Sequence, residues 1–108
     1  MDEGQKNEFQ QTDIFSDWLE HLTDKRGARL IRRRIWRAEN GNFGKGRVNI
    51  AEGVSEMKID YGPGYRIYYC QRGETLYLVL VGGDKSTQQG DLAWAIKIKK
   101  EAEGEKKW

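Results

Sequence analysis

The strongest pattern in the chain lies between residues 52 and 88, where apolar and polar residues alternate with the period of a β-strand. In residues 54–61, Met57, Ile59 and Tyr61 share one side, while Glu56, Lys58 and Asp60 share the other. In residues 65–70, Tyr65, Ile67 and Tyr69 form the apolar set, and Arg66, Tyr68 and Cys70 face the opposite way. Gly62-Pro63-Gly64 supplies the turn between the two runs. A register that pairs even residues with even keeps like faces together. A slip by one residue sets Ile59 opposite Arg66, on the wrong face. The even register therefore places Arg66 opposite Lys58 or Asp60, and Tyr68 opposite Glu56 or Lys58. A third run, TLYLVLV at residues 75–81, is continuously apolar, as expected of a central strand covered on both faces. Gly82-Gly83 is expected to end it, with residues 84–88 emerging at the end of the sheet. The result is a sheet with an apolar back and a polar, partly cationic front, and the front is the expected working surface.

Helical spacing frames this sheet. Phe9 anchors a short first strand, and Thr12 or Asp13 caps a helix whose core face is Ile14, Phe15, Trp18, Leu19 and Leu22. Asp24 is the N-cap of a second helix over residues 25–39, with Ala28, Ile31, Ile35 and Ala38 as its apolar stripe and Leu30 beside it. Gly41 stops that helix, a glycine-rich turn follows at residues 40–46 with Phe43 tucked in, and residues 47–50 make a short strand. A last helix starts at Gln89 or Asp91, with Leu92, Ala95, Ile96 and Lys99 on one side and Trp94 on another. Residues 1–8 and 102–108 are expected to fray.

The chain has 108 residues, enough for a single domain (residues 1–108) with a modest core. The net charge of +2 conceals an asymmetry, because residues 1–24 carry one Lys against seven acids and residues 25–50 carry nine Lys/Arg against one acid. Such a split points to a basic surface for an anionic partner. Lys25, Arg26, Arg29, Arg32, Arg33, Arg34 and Arg37 crowd the second helix, where they contact nucleic-acid phosphate or serve as a solvated face whose stems shield neighbours such as Trp36. A lone cysteine, Cys70, excludes an intrachain disulfide framework and a cysteine-based metal cluster. Neither a membrane-length apolar run nor a signal-peptide pattern is present, so a cytoplasmic protein is expected.

The usual catalytic constellations are missing. His21 is the only histidine, Cys70 has no evident histidine partner, and Ser86 lacks a triad. Any chemistry falls to lysine, arginine and tyrosine, without a metal or cofactor. Those groups suit RNA phosphodiester cleavage, in which the adjacent 2′-OH is an internal nucleophile. Arginine holds phosphate oxygens in a bidentate grip, a lysine among other cations serves as base or acid, and Tyr68 stacks a base or holds the proton network.

The run GVSEMKIDYGPGYRIYY, its following apolar strand and GGDKSTQ together resemble the phage-derived "addiction module killer" branch, HigB/RelE-like, of the RelE/ParE toxin superfamily. The resemblance extends over about residues 9–100 and implies an α+β fold. Two N-terminal helices would pack on a twisted, mainly antiparallel sheet of four to five strands, with a short C-terminal helix. It implies the toxin of a type II toxin-antitoxin module, a ribosome-dependent mRNA endoribonuclease that inhibits translation and growth. The implied partners are a cognate helix-turn-helix antitoxin, through which the complex binds operator DNA, and the ribosome with its mRNA. By position, Arg66 is the implied phosphate-binding residue, Lys58 a base or phosphate contact, and Lys85 the residue at the leaving group. With Tyr68 these make the catalytic set, and Arg47, Lys45, Arg33, Arg37, Ser86 and Gln88 make the RNA-binding set. The chain departs from RelE-like sites in having no tyrosine after Tyr77, and from HigB-like sites in having no histidine on this front. Two other functions stand beside the nuclease: a ParE-like DNA gyrase inhibitor without chemistry of its own, and a non-toxic module that binds an antitoxin.

Overall fold

The computed structural model describes residues 6–104. The order of elements is β1 (Glu8–Gln11), α1 (Asp13–Glu20), α2 (Lys25–Glu39), β2 (Gly46–Ala51), β3 (Val54–Ile59), β4 (Tyr65–Gln71), β5 (Leu76–Asp84), a short 3-10 turn (Lys85–Thr87) and α3 (Gln88–Gly104). The fold is α+β, as expected. One five-stranded sheet has the order β1-β5-β4-β3-β2, antiparallel throughout except for the parallel β1–β5 pair.

Local chemistry accounts for the helix starts. Thr12 caps α1 by accepting from the Phe15 N–H at 3.0 Å, and its hydroxyl donates to the Leu80 carbonyl at 2.7 Å, which ties the helix to β5. Asp24 caps α2 by accepting from the Gly27 N–H at 2.9 Å, and Tyr65 donates its hydroxyl to the same carboxylate at 2.7 Å. These bonds, the Gly27 one first, hold the Asp24 carboxyl below the usual carboxylate range. Helices α1 and α2 cover the sheet's back, where Phe15, Leu19, Ala28, Ile31, Ile35 and Ala38 meet Met57, Ile59, Tyr65, Ile67, Tyr69 and Val79. Ile14 lies outside this core and is exposed, because the helix turns its Phe15–Leu19 side inward instead.

The β3–β4 register pairs Lys58 with Arg66 and Glu56 with Tyr68, the even register expected from the alternation. Strand β5 does not stop at Gly82-Gly83. It continues to Asp84, with Gly82 opposite Ile67 and Gly83 opposite Arg66. The glycines are there for close approach: a methyl on Gly82 would overlap the Trp18 ring on the back, and one on Gly83 would overlap the Asp91 carboxylate on the front. A register shift between Tyr68 and Tyr69 leaves Leu80 as an extra residue in β5, and it reverses the parity of the strand from there on.

The front differs most from expectation. It is a second core, in which Val54, Tyr68, Cys70, Leu78, Leu80 and Val81 are covered by Ala95 and Ile98 of α3, with Leu92, Ile96 and Ala102 at the margin. Helix α3 has 17 residues and runs through residues 102–104, while Asn7 and Glu8 are bonded to Glu39 and Thr75. Lys6 is exposed and belongs to no element, and the other residues expected to fray lie outside the described ones. Lys100 reaches Glu52 at 3.8 Å, so the helix is also tied near its C-terminal end to the β2–β3 turn.

Candidate functional site

Three adjacent strands place residues 58, 66 and 83 in one row across the sheet, with Lys58 opposite Arg66 and Arg66 opposite Gly83. Gly83 leaves this part of the row without a side chain, and two residues later the chain turns at the exposed Lys85. Lys58, Arg66 and Lys85 thus come from β3, β4 and the turn after β5 at one end of the sheet. Lys58 is half-buried.

Glu56 dominates the electrostatics of this region, and the sequence reading gave it no role beyond its face. Its side chain is fully buried and accepts from Arg47 Nε at 2.6 Å and from Arg66 Nη1 at 3.3 Å. One carboxylate therefore holds a guanidinium from β2 and another from β4. The bond to Glu56 raises the Arg47 pKa above its ordinary value. The Arg66 side chain is 11% exposed, and its Nε is buried without a hydrogen-bond partner.

Tyr68 has no surface on which a base can stack, since it is 0% exposed beneath α3. The expectation of an open front carrying Tyr68 is corrected accordingly. Its hydroxyl approaches the Gln88 carbonyl at 3.5 Å, and burial, reinforced by the Glu56 charge, pushes its pKa up to about 12. At the first turn of α3, Thr87 donates to Asp91 at 2.5 Å, so α3 brings its own carboxylate over Gly83, beside Arg66. Ser86 is held by Asp84 at 2.5 Å through its hydroxyl and at 2.8 Å through its N–H. Ser86, next to Lys85, is exposed, and Gln88, three residues on, is partly so. Cys70 is buried, and burial pushes its thiol up to about 11, as for an inert structural cysteine.

The other expected RNA contacts form a cationic band around the β2 edge. Arg34 of α2 donates to the Lys58 carbonyl and, at 3.5 Å, to the Lys45 carbonyl, which joins the helix to the end of β3. Burial, with the Arg37 charge beside it, lowers its pKa. Arg33, Arg34 and Arg37 line a hollow of about 190 Å³ with Leu30 and Ile59. Lys45 pairs with Asp60 at 2.6 Å on the exposed edge. Arg34 thus sets this part of α2 beside Lys45 and the end of β3, while Lys45, Arg47 and Arg66 are each paired with a carboxylate. A larger cleft, about 610 Å³, lies at the opposite end of the strands between Val48, Tyr69 and Lys99, and takes in none of the expected site residues. Among the described residues no group of three or more His, Cys, Asp or Glu is placed to hold a metal ion. Nor is any helix among them long and apolar enough to cross a membrane.

Over 81 residues the chain is 41% identical to an uncharacterized protein of Haemophilus influenzae, a match covering 75% of this chain and 81% of the relative. The chain belongs to that protein's family. No family model matches the chain.

Proposed function

We propose that the protein is the cytoplasmic toxin of a type II toxin-antitoxin module and cleaves mRNA on the ribosome. The observation that carries this reading is the pairing of Lys58 with Arg66 on β3 and β4, with Lys85 in the turn that follows β5 at the same end of the sheet. A scissile phosphate over the row meets the Arg66 guanidinium, whose buried partner Glu56 limits its rotamers before substrate arrives. In the reaction the ribose 2′-oxygen bonds to phosphorus and the bond to the 5′-oxygen breaks, giving a 2′,3′-cyclic phosphate and a 5′-hydroxyl. The 2′-OH proton leaves with a base and the 5′-oxygen gains one. Lys58, opposite Arg66, and Lys85, in the turn after β5, are the groups proposed for those transfers. A helix-turn-helix antitoxin is the proposed neutralising partner, and the complex would bind operator DNA through it.

Expression of the wild type should arrest growth, and co-expression of the adjacent antitoxin gene should relieve the arrest. Mapped RNA 5′ ends should fall within codons of translated messages. Arg66→Ala should abolish arrest while keeping the circular dichroism spectrum of the wild type, and full toxicity of that folded variant overturns the site. One observation favours a second reading: α3 lies over Tyr68 and brings Asp91 beside Arg66, which suits a ParE-like gyrase inhibitor that binds without chemistry. Accumulated cleaved gyrase–DNA complexes with intact mRNA would select it.

A further inference from the structure

Four arginines on α2, Arg29, Arg32, Arg33 and Arg37, are exposed and make no ion pair with any described residue. Like charges three and four positions apart on a helix destabilise it, so the arrangement has a standing cost that no internal contact offsets. Trp36 stands among them, 60% exposed. On a helical wheel it lies three and four positions after Arg33 and Arg32 and two turns after Arg29, on the flank of α2 that borders α1 beside Ile35. Beside Trp36, between α1 and α2, runs a groove of about 370 Å³. Its apolar floor is Leu19 and Ile35, and Glu20, Glu39 and Arg32 stand on its rim.

We propose that Trp36 and this groove hold one unstacked nucleobase of a single-stranded RNA whose phosphates run along the α2 arginines. The inference rests on the RNA reading above and adds a recognition site on the helices that cover the sheet's back, separate from Lys58, Arg66 and Lys85. An indole ring accepts the face of any base, while the neighbouring guanidiniums neutralise the backbone on either side. A duplex keeps its base faces stacked and offers none to Trp36, so the preferred strand is single. The carboxylates of Glu20 and Glu39 repel phosphate but accept hydrogen bonds from an exocyclic amino group. They favour adenine, cytosine or guanine over uracil, which lacks that group. From Arg33 and Arg37 the strand then follows the band past Lys45 toward the front.

The test is fluorescence anisotropy with labelled oligoadenylate, oligocytidylate and oligouridylate, and with a DNA duplex of equal length. Trp36→Ala should weaken binding of the adenylate and cytidylate strands by about tenfold, the scale of one lost base–aromatic stack, and leave duplex affinity unchanged. Trp36→Phe should retain most of the affinity. Glu20→Gln with Glu39→Gln should narrow the preference for oligocytidylate over oligouridylate, and Arg29→Ala should lower the salt slope for single strands by about 0.7. Equal loss on single strand and duplex, or no loss on either, overturns the proposal. So does a wild-type protein that self-associates through this face, its acidic residues 1–24 against α2, while Trp36→Ala is monomeric. The two readings fail separately. Loss of arrest in Arg66→Ala alongside an inert Trp36→Ala overturns only the stacking site, and the reverse result overturns only the Arg66 site.

Discussion

Replacing Glu56 by Gln removes the carboxylate paired with Arg66, and the cost follows from the geometry. The carboxylate is fully buried, the Arg66 side chain is 11% exposed, and Arg66 Nε already lacks a partner. Breaking a buried pair from one side costs about 3–5 kcal/mol, because the remaining charge stays desolvated. Glutamine keeps one acceptor oxygen, and the other pair, to Arg47, is half-exposed and contributes less, so the low end, about 3 kcal/mol, is expected. For a domain of this size that lowers the melting temperature by about 15 °C. Urea unfolding followed by circular dichroism gives the free energy, and the loss should be nearly independent of salt because the pair is shielded from it. Adding Arg66→Met to Glu56→Gln removes both charges, and the double variant should return to within about 1 kcal/mol of wild type. A single-variant loss under about 1 kcal/mol, or a double variant equal to the sum of the singles, would refute the claim that Glu56 and Arg66 form a buried, coupled pair.

Gly82→Ala should destabilise by about 1–3 kcal/mol, since the added methyl overlaps the Trp18 ring in a packed core; unchanged melting would show that β5 does not pass so close beneath α1. Stability should also decline at alkaline pH. Tyr65 and Tyr68 are both pushed up to about 12, chiefly by burial, above the value of about 10 in the unfolded chain. Their contribution is complete below pH 10 and is lost as pH rises from there to about 12. Denaturant midpoints across that window should fall less steeply for Tyr68→Phe than for the wild type, and parallel slopes would remove Tyr68 from the explanation.

The sequence alone determined the local structure well, because local structure depends on interactions a few residues long. Asp24 followed by the Ala28–Ile31–Ile35–Ala38 stripe was enough to set α2, and odd–even alternation around a three-residue turn was enough to narrow the partner of Arg66 to Lys58 or Asp60, of which the fold takes Lys58. Alternation assigns residues to faces, but it says nothing of what covers a face. A covered front was nonetheless signalled by the unbroken apolar run of β5, which needs a lid on both sides. The lid itself was hard to see, because the sequence grouped Lys99 rather than Ile98 with Leu92, Ala95 and Ile96 on the inner side of α3. Only the tertiary structure decided that Tyr68 is buried, that the extra residue at Leu80 brings Gly83 rather than Gly82 beside Arg66, and that one carboxylate, Glu56, holds two arginines. Each depends on contacts between elements distant in sequence, where the free energy of burying a tyrosine or a charge is set by a helix that the pairing pattern does not mention.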